Sequence, residues 1–193
     1  MINKIEKEFL QNSNWIESEY SNIAMEDSIK AWDYAKKNKQ NITIDYIKEI
    51  HKKLMIRLNP KIAGKIRNCR IYVGGFSEYK ECLKPKYVTK KLEEWVKNSN
   101  IKEESECPPS ERAKKAHIVF ENIHPFKDGN GRLGRILMNV QRLNAELPLL
   151  VIYEKEKQDY YKWFEQDTNN KCKDFRDPLA DLFVYGVQRW KEK

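Results

Sequence analysis

Apolar residues in this chain recur at the three- and four-residue spacing of a helix face, and few glycines interrupt the pattern. Ile47, Ile50 and Leu54 mark one helix, starting near Thr43, and Val88, Leu92, Trp95 and Val96 mark another after Pro85. Pro108-Pro109-Ser110-Glu111 reads as a helix start with Ser110 as N-cap. The stripe Ala113, Ala116, Phe120 and Ile123 then runs straight to His124. Leu133, Ile136, Leu137, Val140 and Leu143 form the apolar face of a further helix. Asp177-Pro178 begins a last one bearing Leu179, Leu182, Phe183 and Trp190. One stretch differs: Arg70-Ile71-Tyr72-Val73-Gly74-Gly75-Phe76 is β-prone and ends in a Gly-Gly turn, so a short hairpin is expected. The expected fold is all-α with one small hairpin, a single domain over residues 1–193, with no internal repeat or linker.

Composition narrows the class. Hydrophobic residues make up 40% of the chain, enough to fill a core, and no run approaches the roughly 18 apolar residues of a membrane span. The first residues lack the apolar run of a secretory signal. Cys69, Cys82, Cys107 and Cys172 lie far apart with no Cys-x-x-Cys pair, which argues against a zinc site and suits a reducing compartment. A soluble cytoplasmic protein with no membrane partner is expected. The net charge of +8 is spread along the chain and interleaved with glutamates, as in Lys90-Lys91-Leu92-Glu93-Glu94, so nucleic acid is disfavoured as a partner.

Three of the seven glycines fall in the segment His124-Pro125-Phe126-Lys127-Asp128-Gly129-Asn130-Gly131-Arg132-Leu133-Gly134-Arg135. A helix ends before it and another begins within it. N–H groups at the second helix's start have no intrahelical partner, and the positive end of the helix dipole lies behind them. Gly129 and Gly131, flanking Asn130, let a phosphate approach the backbone closely. Arg132 and Arg135 are three apart and share a helix face, suited to a polyphosphate. Asp128 is placed to hold a divalent cation. His124 is the side chain here suited to removing a proton near pH 7, and Lys127 reads as solvated surface. Together these are the parts needed to transfer a phosphorus group to a hydroxyl.

The segment His-Pro-Phe-x-Asp-Gly-Asn-Gly-Arg-x-x-Arg resembles the signature of the Fic family at every defining position. Gly64-Lys65-Ile66-Arg67 and the stretch Ile71–Pro85 resemble the family's segment before and through its flap hairpin, here around residues 70–85. Asp159-Tyr160-Tyr161-Lys162-Trp163 resembles the helix that walls the nucleotide pocket. The resemblance implies a Fic-type helical domain that transfers AMP from ATP to a Ser, Thr or Tyr hydroxyl of an unidentified target protein. His124 would be the general base, and Asp128 would hold Mg²⁺. Asn130, with the N–H groups around Gly129 and Gly131, would cradle the α-phosphate. Arg132 would engage the β-phosphate and Arg135 the γ-phosphate, with Tyr160 and Tyr161 against the nucleotide. Phe126 would anchor the loop from beneath, and the hairpin would clamp the target backbone as an added strand. Relatives that transfer phosphate or phosphocholine replace the first motif glycine with Ala; the Gly129-Asn130-Gly131-Arg132 form goes with AMP transfer.

Ser13-Asn14-Trp15-Ile16-Glu17 resembles the family's inhibitory helix, Ser/Thr-x-x-x-Glu-Gly/Asn, here around residues 8–19, with Ser18 departing from the usual Gly or Asn. A Glu17 carboxylate paired with Arg135 would occupy the group needed for the γ-phosphate. Two alternatives use the same residues: removal of AMP from a modified target with Glu17 taking part, and a non-catalytic nucleotide- or nucleic-acid-binding regulatory protein. The resemblance also leaves room for homo-oligomers and for self-modification, with Tyr72, Tyr79 and Tyr87 near the flap as candidates.

Overall fold

In the computed structural model, residues 2–74, 79–100, 107–164 and 175 are described. Helix α1 (Lys4–Ile16) is followed by α2 (Asn22–Lys37) and α3 (Ile44–Met55). A hairpin of β1 (Tyr72–Gly74) and β2 (Tyr79–Glu81) leads to α4 (Pro85–Ser99), α5 (Pro109–Ile123) and α6 (Asn130–Asn144). A 3-10 turn (Glu154–Glu156), α7 (Lys157–Tyr161) and a second 3-10 turn (Lys162–Phe164) follow. The strands pair antiparallel, with Tyr72 opposite Glu81 and Val73 opposite Lys80. The all-α expectation with one hairpin holds. The expected helix from Asp177 to Trp190 and the far end of the Gly-Gly turn lie outside the described residues.

Local signals fix most boundaries. Thr43 caps α3, its hydroxyl accepting from the Tyr46 N–H at 3.0 Å. Ser110 is not a cap: α5 begins at Pro109, whose fixed φ and missing N–H suit the first helical position, so Ser110 sits inside the first turn. Helix α1 also starts earlier than residue 8. Asn3 Oδ1 accepts from the Glu6 N–H and the Glu6 carboxylate accepts from the Asn3 N–H, a reciprocal capping box that sets the start at Lys4. Helix α2 has no counterpart in the sequence reading.

Helices α5 and α6 pack together at the centre, with α2 and α3 against α6 and α4 against α5. The core is continuous, and Trp32, Ile47, Ile50, Phe120, Phe126, Leu133 and Val140 are fully buried in it. Burying each large apolar side chain contributes about 1.5–3 kcal/mol over leaving it in water. A smaller cluster of Ile16, Ala113, Met138, Ile152 and Tyr160 joins the end of α1 to α6 and α7. Cys69 and Cys82 are reduced thiols. Cys107 is disulfide-bonded, a bond that the expected reducing compartment does not favour. Among the described residues no helix is long and apolar enough to cross a membrane.

Candidate active site

The turn between α5 and α6 is framed by two left-handed residues, His124 (φ 49°, ψ 64°) and Gly129 (φ 76°, ψ 7°). Gly129 suits this backbone, and a Cβ there would meet Met55 Sδ at 2.9 Å. His124 is not glycine, so its left-handed backbone is strained and is held by its surroundings. Asn130 closes the loop: its carboxamide accepts from the Phe126 N–H and donates to the Phe126 carbonyl, both at 2.9 Å. The Asn130 side-chain oxygen and one of its amide N–H groups are thereby engaged in holding the loop. Phe126 is buried beneath the loop, stacked on His51 with ring centroids 3.8 Å apart. His51 accepts from the Gly64 N–H at Nδ1 (2.9 Å), which leaves Nε2–H to donate to the Asp128 carbonyl (2.9 Å). Burial pushes His51 down to about 4, so the ring stays neutral in this bridge.

His124 lies at the mouth of the loop, its side chain 16% exposed. Its Nδ1 is 3.3 Å from the Glu121 carbonyl and 3.7 Å from the Glu121 carboxyl. Donation from Nδ1–H to that carbonyl leaves Nε2 as the proton acceptor. Burial pushes its pKa down to about 4; the Glu121 carbonyl opposes this and the Arg67 guanidinium reinforces it. The imidazole is therefore neutral at pH 7. Glu121 moves the other way. Burial pushes its carboxyl up to about 8, with Arg135 pulling against the shift and Glu17 adding to it. Its Oε1 is buried without a hydrogen-bond partner, beside Gly134, where a Cβ would collide with it.

The two motif arginines differ in how they are satisfied. Arg132 is buried; one terminal nitrogen meets Met55 Sδ at 3.3 Å, while Nε and Nη1 have no partner. Buried donors left unmade are costly, and an anionic ligand would supply the acceptors. Arg135, 1% exposed, has all three of its guanidinium nitrogens engaged. Its Nε donates to Ser13 Oγ (2.9 Å) and its Nη1 to the Tyr160 hydroxyl (3.1 Å). Its Nη2 donates to the Ser13 carbonyl (2.8 Å) and the Glu17 carboxylate (2.7 Å). Burial opposes the charge on Glu17, and the Arg135 guanidinium overrides it, holding the carboxyl below the usual carboxylate range. A Cβ on Gly131 would fall on the Glu17 carboxylate oxygen, so that oxygen rests over the first turn of α6. Glu17 is the C-cap of α1 and still 35% exposed; Ser18 after it is left-handed at φ 58°.

Asp128 and Lys127 are exposed, and the Asp128 carboxylate accepts from the Gly129 N–H at 2.6 Å. Among the described residues no group of three or more His, Cys, Asp and Glu side chains could hold a metal alone. A single accessible carboxylate beside an anion site nevertheless fits Mg²⁺, which binds through one or two carboxylates, substrate phosphates and water. Tyr160 is buried, its hydroxyl between Arg135 and His117 Nε2 (2.8 Å), so it positions Arg135; Tyr161 is exposed. Sequence reasoning missed His51, Glu121, His117 and the role of Arg67. His51 could have been noticed, since it shares the apolar face of Ile47, Ile50 and Leu54, and Glu121 lies one turn before His124.

Comparisons with known proteins bear on the family and the fold. The protein adenylyltransferase fic-1 of Caenorhabditis briggsae is 34% identical over 125 residues, covering 65% of this chain and 24% of that protein. The protein adenylyltransferase Fic of Drosophila erecta is 29% identical over 164 residues, covering 82% and 31%. The chain thus spans about a quarter to a third of the length of these relatives. A Fic-domain signaling protein from Bacteroides thetaiotaomicron shares the fold with a TM-score of 0.76 at 23% identity, over 84% of this chain and 71% of that one. Fic-1 from C. elegans does so at 0.68, over 84% and 55%. The model of the Fic/DOC family matches residues 41–141, from the start of α3 through the turn to the last part of α6. The folded motif and the elements that hold it are the part of the chain that this match covers, and the chain belongs to the Fic/DOC family.

Proposed function

We propose that this chain is a protein adenylyltransferase, moving AMP from ATP to a Ser, Thr or Tyr hydroxyl of a target protein, and that Glu17 holds it inactive. The observation that carries the reading is a neutral, accessible base, His124, next to a helix start whose Arg132 is buried with unmade donors. The relatives named as adenylyltransferases favour AMP as the transferred group. His124 Nε2 takes the proton of the target hydroxyl as its oxygen bonds to the α-phosphorus. The bond to the β-phosphate bridging oxygen breaks, and pyrophosphate leaves. Backbone N–H groups of Asn130 and Gly131 at the start of α6 face the charge that develops on the α-phosphate oxygens, the Gly129 N–H being engaged by Asp128. Arg132 binds the β-phosphate, and Arg135 the γ-phosphate once it is released. Mg²⁺, held by Asp128 together with the nucleotide, would supply charge neutralisation along the phosphates. The hairpin lines up the target backbone beside His124.

Inhibition follows from competition for Arg135. While Ser13 and Glu17 occupy Nε and Nη2 of the guanidinium, the γ-phosphate is denied those donors and the Glu17 oxygen lies over the anion site. With α-labelled ATP and Mg²⁺, Glu17→Gly should label itself or lysate proteins at least about tenfold faster than wild type, and His124→Ala in that background should lose about a hundredfold or more. A Glu17→Gly protein that labels nothing defeats the reading. The partly exposed Glu17 carboxylate beside the anion site favours a second activity, removal of AMP from a modified target. That activity should disappear in Glu17→Gly when an AMPylated protein is the substrate. A cytoplasmic setting belongs to this proposal; the reduced Cys69 and Cys82 favour it and the disulfide at Cys107 opposes it.

A further inference from the structure

Arg67 stands in the loop between α3 and β1, three residues after Gly64, and is buried, with 3% of the residue exposed. No carboxylate accepts from it among the described residues. Its partners are main-chain carbonyls from three separate segments. Nε donates to the His124 carbonyl (2.6 Å), and Nη2 to the Ile123 carbonyl (3.2 Å) and the Leu83 carbonyl. Nη1 donates to the Cys69 carbonyl at 2.8 Å. The Arg67 N–H adds a bond to the Pro125 carbonyl at 2.9 Å.

These partners have a common geography. Ile123 is the last residue of α5 and His124 its C-cap, where carbonyls lack helical partners and the negative end of the dipole gathers. Cys69 precedes β1 and Leu83 follows β2, so they are the two feet of the hairpin. The hairpin itself is tied lower down by the Cys82 N–H to Ile71 carbonyl bond at 2.9 Å. One planar guanidinium therefore caps the helix that ends in the base and clasps both feet of the hairpin. Arginine suits this because its donors diverge in a rigid fork; the lysine ammonium concentrates three donors at one point and cannot reach carbonyls on several sides. Burial pulls the guanidinium pKa down, yet the helix end keeps a cation favourable there.

We infer that Arg67 is a positioning residue for the transfer reaction: it fixes the hairpin, and with it the target strand, in register with His124. This rests on the adenylyltransferase reading for its functional consequence, while the mechanical link stands on the contacts alone. Nothing in the bond set touches the anion site, so nucleotide binding should be spared. The test uses Glu17→Gly protein carrying Arg67→Lys or Arg67→Met. Labelling kinetics with α-labelled ATP give kcat and the KM for ATP, and amide hydrogen exchange reads β1, β2 and the end of α5 separately from α2 and α3. Both variants should lose on the order of tenfold to a hundredfold in kcat, as small misplacements of reacting groups do, with the KM for ATP within about twofold. Amides of the hairpin should exchange faster while those of α2 and α3 keep their protection, and Lys should be milder than Met.

Unchanged hairpin exchange and unchanged kcat in both variants would overturn the inference. So would loss of protection throughout all helices with a raised KM, since Arg67 would then serve overall stability. If the Glu17→Gly parent labels nothing, the AMP-transfer reading fails, and the exchange pattern still decides whether Arg67 ties hairpin to helix end.

Discussion

Three asparagines each satisfy both backbone groups of one other residue. Asn130 does so for Phe126, Asn139 for Leu150 (2.8 and 3.1 Å) and Asn100 for Ile42 (3.0 and 2.6 Å). A carboxamide carries one acceptor and one donor side by side, the complement of a residue's own N–H and C=O. Asn139 is fully buried, so Asn139→Leu would strand the Leu150 pair; unfolding in urea should show a loss of about 2–4 kcal/mol. Arg132 behaves oppositely. Because two of its donors have no partner, Arg132→Met should leave the melting temperature of the unliganded protein unchanged or raised, and abolish the shift caused by ATP with Mg²⁺. A fall in unliganded stability would show that Arg132 serves the core. The residue types of the motif were readable in the sequence, and so was Phe126 as an anchor. That the Asn130 side chain is spent on the loop was not, because it depends on where the Phe126 backbone turns.

At the scale of elements, α1 shows how a local rule and a tertiary contact meet. The Ser13–Glu17 spacing is visible in the chain, but the carboxylate reaches Arg135 because α1 ends there and the backbone turns left-handed at Ser18. A left-handed residue favours glycine or asparagine, which gives a physical reason for the residue types usual after the glutamate. Ser18→Gly should relieve that strain, stabilise the protein by about 0.5–1 kcal/mol, and lower basal labelling below wild type as the contact tightens. Calorimetry and the labelling assay check the two parts, and higher basal labelling would contradict the argument. Helix α2 escaped the reading because its buried stripe is Ala24, Ser28, Ala31, Trp32 and Ala35, mostly small residues that carry little hydropathy. Ser21, whose hydroxyl accepts from the Ala24 N–H at 3.1 Å, was the available start signal. Those small residues matter in space, where α2 packs on α3 and the Tyr46 hydroxyl reaches the Ala35 carbonyl at 2.9 Å.

For the whole molecule, buried titratable groups set a pH optimum of stability. Burial holds His51 and His124 near 4 and His117 near 3, so between those values and the ordinary histidine range the unfolded chain binds protons that the folded one refuses. Stability must rise with pH through that window. Glu121, near 8, has the opposite sign: the folded state keeps a proton the unfolded chain has released, so stability falls as pH rises from the ordinary carboxylate range toward 8. Three histidines outweigh one glutamate at low pH, and Glu121 alone remains above the histidine range. Urea unfolding across pH 4–8.5 should therefore peak at about pH 6.5–7, and Glu121→Gln should flatten the alkaline decline. A monotonic rise to pH 8 in wild type would contradict this. The chain by itself determined the helical class, the hairpin and the glycine-bearing turn between two helices, because periodicity, caps and a twelve-residue motif are local in sequence. The pairing of Glu17 with Arg135 is implied there only by the family resemblance, and it joins residues 118 apart that the fold has to bring together. Only the tertiary structure decided which groups are starved or satisfied. Arg132 lacks partners, Glu121 is kept protonated by burial, and Arg67 joins hairpin to helix end, because desolvation and hydrogen bonding depend on neighbours brought together from distant parts of the chain.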